Sequence, residues 1–207
     1  MSAREGILAA IRARRLAQPE AHPPRWQQPL PANSLVEHFA DRAGAAAAEV
    51  KHVASLEEIA GAVAEVLRAR NLPAVVHLPS DPTLAGFNWS TAPGLTLRQA
   101  PPGPDDATLA IAPFAIAETG TLVYAASGQR PASWHFRAGL EIAVIAADCI
   151  QPDLESALGR IRAEGALPST INLVTGPSRT GDIEQTLELG AHGPKELIVL
   201  IVPSLPK

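Results

Sequence analysis

From Ser34 onward the chain alternates short, continuously apolar runs with helix-length amphipathic segments, and no other feature restricts its fold as much. The spacing predicts helices over 34–50, from Ser55 to about Arg70, over 153–164 and over 180–189. Between them it predicts strands at 51–54, 74–78, 95–99, 107–112, 116–126, 140–147, 171–174 and 196–202, with a short helical or irregular segment at 82–89. Ser55 and Glu58 have the spacing of a capping box, and Gly165 with Pro168 ends the helix before them. No helix-length segment separates 107–112 from 116–126, so these two are expected to form an antiparallel or hairpin-like part of the sheet. Strands that alternate with helices predict an α/β fold whose mostly parallel sheet is covered on both faces.

Two regions follow from composition. Residues 1–33 read as an amphipathic helix, with Ile7, Leu8, Ile11 and Leu16 on one face, followed by a linker containing Pro19, Pro23, Pro24, Pro29 and Pro31. Such a helix cannot bury its apolar stripe alone and must dock on its own domain or on another chain, a second copy included. Residues 34–207 read as the α/β domain. The hydrophobic fraction of 46% suffices for one core. The longest apolar runs, at 142–147 and 197–202, fall far short of the ~20 residues of a membrane-spanning helix. A net charge of −4, with three Trp, one Tyr and four Phe, argues against a nucleic-acid surface, which calls for a basic patch and stacking rings. The N-terminus has no apolar signal core, so the chain reads as cytoplasmic. Its single cysteine, Cys149, excludes an internal disulfide, and also any thiolate zinc or iron–sulfur cluster held by this chain alone.

Three stretches carry side chains suited to chemistry. The first contains Gly176, Ser178, Arg179 and Thr180, between a strand and an expected helix at 180–189. Free N–H groups at a helix start, with the two hydroxyls, would cradle an anion. A cation at a helix start is disfavoured, so Arg179 calls for an anionic partner, either a ligand or an internal carboxylate. The second is Glu118-Thr119-Gly120. If the strand continues from Phe114, Glu118 shares a face with Phe114 and Ile116, where it needs a partner such as Arg179 or Arg130, or else has a perturbed pKa useful for chemistry. The third is the turn Gly190-Ala191-His192-Gly193-Pro194, where His192 is either a hydrogen-bonded turn residue or a base. The six histidines show no metal-ligand spacing, and no metal is assigned.

Taken in order, Ala115-Ile116-Ala117-Glu118-Thr119-Gly120-Thr121-Leu122-Val123, Gly128-Gln129-Arg130, the run from Gly176 to Glu184 and Gly190-Ala191-His192-Gly193-Pro194 resemble the lactate utilization protein C family and its LUD domain. The resemblance covers about 34–202. It implies a three-layer, Rossmann-like α/β/α fold like that of the sugar-phosphate isomerase and CoA-transferase group. It also implies a place in a three-protein system oxidising L-lactate to pyruvate, with the iron–sulfur clusters on partner chains. One stretch departs from the family. After Arg130 the family has a Leu-rich, proline-containing segment leading to a His before the next strand. Here residues 131–140 read Pro-Ala-Ser-Trp-His-Phe-Arg-Ala-Gly-Leu, so the usual His is absent or displaced to His135.

The resulting expectation is a subunit that supports L-lactate oxidation without a redox cofactor of its own and binds a small carboxylate such as L-lactate. The site would comprise Gly176, Ser178, Arg179, Thr180, Thr119, Gly120 and Arg130, with Glu118 and His192 as catalytic candidates. The alternatives are a stand-alone CoA-transferase-like or isomerase-like enzyme using Glu118, by fold analogy, and a small-molecule-binding domain without turnover.

Overall fold

The computed structural model describes residues 3–13, 34–165, 167–181, 187–190 and 193–206. The chain divides into two units, Met1–Leu30 and Pro31–Lys207. In the first, helix α1 (Ala3–Ala13) spaces Ile7, Leu8 and Ile11 along one face. The expected proline-rich linker lies outside the described residues.

The second unit begins with α2 (Leu35–Ala45), β1 (Glu49–His52), α3 (Ile59–Ala69), β2 (Val75–His77), α4 (Pro82–Ala85) and β3 (Thr96–Arg98). It continues through β4 (Ala107–Ile111), β5 (Phe114–Ile116), β6 (Thr121–Ala125), β7 (Leu140–Ala146), β8 (Ile150–Gln151) and α5 (Leu154–Ala163). The last elements are β9 (Ile171–Val174), β10 (Arg179–Gly181), β11 (Leu187–Leu189) and β12 (Glu196–Val202). Six strands form one sheet in the order β1-β12-β7-β4-β2-β3, every pair parallel. A second sheet has the order β8-β5-β6-β9, and β10 and β11 form a two-stranded sheet.

Alternation along the central strands explains why the parallel sheet is buried on both sides. Leu140, Ile142, Val144 and Ala146 of β7 join Ile198, Leu200 and Val202 of β12 against Ile59, Val63, Val66 and Leu67 of α3. On the other face Ala143, Ile145, Leu197, Val199 and Ile201 meet Phe39 and Ala43 of α2, with Ala115, Leu122 and Tyr124 of the second sheet. That second sheet is covered in turn by α5, through Phe114, Ile116, Val123, Ala157 and Ile161. The doubly covered α/β fold is therefore present, and an antiparallel sheet shares the second cover with a helix.

Three local expectations change. The capping box belongs to α2: Glu37 N–H donates to Ser34 Oγ (3.2 Å), and Ser34 N–H donates to Glu37 Oε2 (3.0 Å). Ser55 makes no side-chain cap, and Glu58 instead accepts from Ala54 N–H at 3.3 Å, ahead of a single 3-10 turn that leads into α3. The 34–50 helix is shorter than its alanines suggest. It gives way after Ala45, Ala47 takes φ +67°, and residues from Glu49 pair with β12. Strand β4 does not pair with the segment that follows it. It stays in the parallel sheet beside β7, and the hairpin forms between β5 and β6 in the second sheet. Pro113, which has no N–H to give a ladder, stands where the chain leaves one sheet for the other.

Candidate functional site

The hairpin β5–β6 carries the chain back to the end of β4, and a turn closed by mutual backbone bonds between Ser127 and Arg130 follows. Pro131 then leads into the 3-10 turn Ala132–Phe136, held to β9 by Asn172 Nδ2 donating to Ala132 O at 3.1 Å. That turn buries Trp134 and His135 and leaves Phe136 exposed. Arg130, Trp134 and His135, with Tyr124 of β6, Ile111 of β4 and Pro79 beyond β2, line a small recess. The space within it is about 10 Å³, room for one oxygen-sized group.

Two buried carboxylates stand behind this recess. Asp81, 2% exposed, caps α4 by accepting from Thr83 N–H at 2.9 Å and also accepts from Arg130 Nε at 2.5 Å. Arg130 is about one-third exposed, and its two terminal nitrogens have no partner among the described residues. Glu141, wholly buried on β7, accepts from or shares a proton with His135 Nδ1 at 2.8 Å. A carboxylate placed inside a sheet needs such a partner, because the desolvation cost is otherwise several kcal/mol. The His135 ring stacks on Tyr124 with centroids 3.7 Å apart and planes 24° from parallel. Tyr124 Oη and Glu141 Oε2 are buried without a well-formed hydrogen bond. Burial, and then the charge of Glu141, raise the Tyr124 phenol well above its ordinary pKa, so it stays protonated. The outcome is one cation and one imidazole, each oriented by a buried carboxylate, on the wall of one recess.

The other residues singled out in the sequence fall elsewhere. Strand β5 ends at Ile116, so Glu118 does not share the face of Phe114 and Ile116 but sits half-buried in the hairpin turn. Its backbone carbonyl accepts from Arg42 Nε at 3.1 Å, and its carboxylate forms no ion pair with Arg130 or Arg179. Arg130 is taken by Asp81. Gly120, at φ +68°, lies against the backbone of Arg42 and Ala43, and Gly176, at φ +73°, lies against that of Ala46. A Cβ at either position would collide with the end of α2. Between them, Thr119, Thr121 and Thr175 link hydroxyls at 2.6 and 2.7 Å. These residues latch two turns onto the end of one helix.

The expected helix start at Gly176–Thr180 is absent. Arg179 and Thr180 lie in β10, paired antiparallel with β11 in the register Arg179↔Leu189 and Thr180↔Glu188. Ser178 N–H donates to Pro194 O at 2.8 Å and Gly190 N–H to Ser178 O at 3.1 Å, closing the base of this hairpin. The anion cradle that a helix start would offer is therefore not built there. Ser178 does meet the 190–194 turn: a Cβ on Gly193 would come within 3.0 Å of Ser178 Cβ and 3.9 Å of His135 O. Arg179 is exposed. His192 lies outside the described residues.

Sequence reasoning took Arg130 into the site and noted His135 only as a displaced histidine. It missed Asp81, Tyr124 and Glu141. One signal for Glu141 was present: a lone carboxylate in the otherwise apolar run Leu140–Ala146, which must carry a partner once that strand is buried. Cys149 is half-buried, and burial followed by the nearby Asp148 charge raises its thiol pKa, which disfavours a reactive thiolate. Among the described residues no group of three His, Cys, Asp or Glu is placed to hold a metal ion, and no helix is long and apolar enough to cross a membrane.

These features define an α/β protein with a doubly covered parallel sheet and a polar recess beside the end of β4. Residues 105–202 match the LUD domain family model. It is 27% identical over 169 residues to lactate utilization protein C of Geobacillus thermodenitrificans, covering 70% of this chain and 69% of that protein. It is 32% identical over 98 residues to lactate utilization protein C of Geobacillus kaustophilus, covering 45% of this chain and 41% of that protein. The latter alignment thus spans about two fifths of its relative. A crystal structure of a DUF162 family protein from Deinococcus radiodurans has the same fold, with a TM-score of 0.59 and 25% identity. That likeness covers 81% of this chain and 96% of the other.

Proposed function

We propose that this chain is a subunit of an L-lactate-oxidising system and works beside partner chains that carry iron–sulfur clusters. The observation that carries the reading is the similarity to lactate utilization protein C, which extends over 70% of this chain rather than over one motif. The chemistry of the chain agrees with a division of labour. A cluster held by four thiolates does not fit a chain with one cysteine, and that thiol is half-buried with a raised pKa. Two-electron oxidation of lactate needs an electron acceptor, so the partner chains supply it and this chain supplies binding and orientation.

The test is L-lactate-dependent dye reduction, with the purified chain alone compared with the chain co-expressed beside neighbouring iron–sulfur proteins. Turnover in the mixture, lost when this chain is omitted, is expected. Turnover by the lone chain, or by the partners without it, would overturn the reading.

A further inference from the structure

We infer that the recess beside Arg130 and His135 is a binding site for a small 2-hydroxycarboxylate, with Arg130 taking the carboxylate and His135 the 2-hydroxyl. Arg130 is tied through Nε to the buried Asp81, so its guanidinium is oriented before any ligand arrives, and its terminal nitrogens are unpartnered among the described residues. Two parallel N–H donors match the two oxygens of a carboxylate. His135 is held by Glu141 at Nδ1 and by the stacked Tyr124 ring, which leaves Nε2 as the ring atom available to a guest. Two polar groups, each fixed by a buried carboxylate, on an otherwise apolar wall make a site rather than a chance pairing.

Size limits how much of a ligand enters the recess. A space of about 10 Å³ accepts one oxygen-sized group, with the rest of the ligand at the mouth beside Arg130, which is about one-third exposed. A plain monocarboxylate would satisfy Arg130 and leave His135 without its partner, so the second polar group selects for a hydroxyl. The choice of L-lactate as the guest rests on the lactate-system reading above, whereas the chemical class rests on the recess.

The experiment is calorimetric titration of the full chain with L-lactate and with propionate, which has the same skeleton without the hydroxyl. L-lactate is expected to bind about tenfold or more tightly than propionate, because a site built for a hydroxyl rejects the analogue that lacks it. Arg130→Gln weakens both ligands about tenfold or more, and His135→Gln lowers lactate to the level of propionate while leaving propionate unchanged. Since His135 is buried, Arg130→Lys provides the second variant. Its side chain is at the mouth and its charge can still pair with Asp81, yet it loses the fork, so lactate binding falls about tenfold while cooperative unfolding is retained. Equal binding of lactate and propionate, or unchanged binding in Arg130→Gln and Arg130→Lys, would overturn the assignment. The dye-reduction assay separates the two ideas. Dependence on this chain without lactate binding sinks the site and spares the subunit reading, and specific lactate binding with no effect on dye reduction does the reverse.

Discussion

Replacing Glu141 tests whether its buried pairing with His135 holds the recess together. Glu141 is fully buried and its one well-formed side-chain hydrogen bond is to His135 Nδ1, while Oε2 and the neighbouring Tyr124 Oη are left unsatisfied. Glu141→Leu removes the acceptor and strands a buried imidazole, which costs about 3 kcal/mol or more for a broken buried pair. In a domain of this size that lowers the melting temperature by roughly 6–12 °C. Glu141→Gln should behave differently. Its amide oxygen can still accept from His135, its NH2 can donate toward Tyr124 Oη, and no buried charge remains, so the net change should stay within about 1 kcal/mol. His135→Leu in the Glu141→Leu background should cost at least about 2 kcal/mol less than in the wild type, because the pair is already lost. Urea unfolding of the five proteins, fitted with a common slope, gives these differences. Additive costs in the double variant, or a Gln variant as unstable as the Leu variant, would refute the assignment of Glu141 as a hydrogen-bonded partner of His135.

Gly120→Ala should lower stability by about 2 kcal/mol or more, through a left-handed backbone that Ala disfavours and a Cβ facing the backbone of α2, whereas Gly128→Ala, with open space around it, should lie within about 0.5 kcal/mol of wild type in the same urea experiment. Glu49 has its carboxyl pKa lowered chiefly by its hydrogen bond to Arg70, with Lys51 adding to the effect. A carboxyl whose folded pKa is below its unfolded value contributes stability above the unfolded value and loses it as the pH falls through the folded one. Glu49→Gln should therefore flatten the loss of stability on acidification below about pH 5, seen as a smaller drop in urea midpoint between neutral and acidic buffer. An unchanged acid slope would show that the pair with Arg70 adds nothing.

Much of the fold could be read because the relevant signals are local. Val75–His77, Leu140–Ala146 and Glu196–Val202 are short apolar runs bounded by breakers, and α5 runs from its capping Asp153 to the turn before Gly165. The expected helix at 180–189 is replaced by strands because the pairing of β10 with β11 depends on Ser178 meeting Pro194 and Gly190, which lie outside that segment. The expected ligand site includes Gly120 and Gly176, and both are in fact positions of close backbone approach. The backbone approached is that of α2, which comes from more than 70 residues earlier in the chain.

The period of the apolar residues, together with a single cysteine, determined that this chain builds a parallel sheet buried on both faces and cannot hold a four-thiolate cluster alone. Both properties depend on residue type and spacing along the chain. Only the tertiary structure decided which charged residues meet. Asp81 caps a short helix 49 residues before Arg130, and Glu141 reaches His135 because the 3-10 turn at Ala132–Phe136 folds back over the start of β7. A charged side chain has no period of its own. Its partner is set by the path of the backbone and by the cost of burying a carboxylate unpaired.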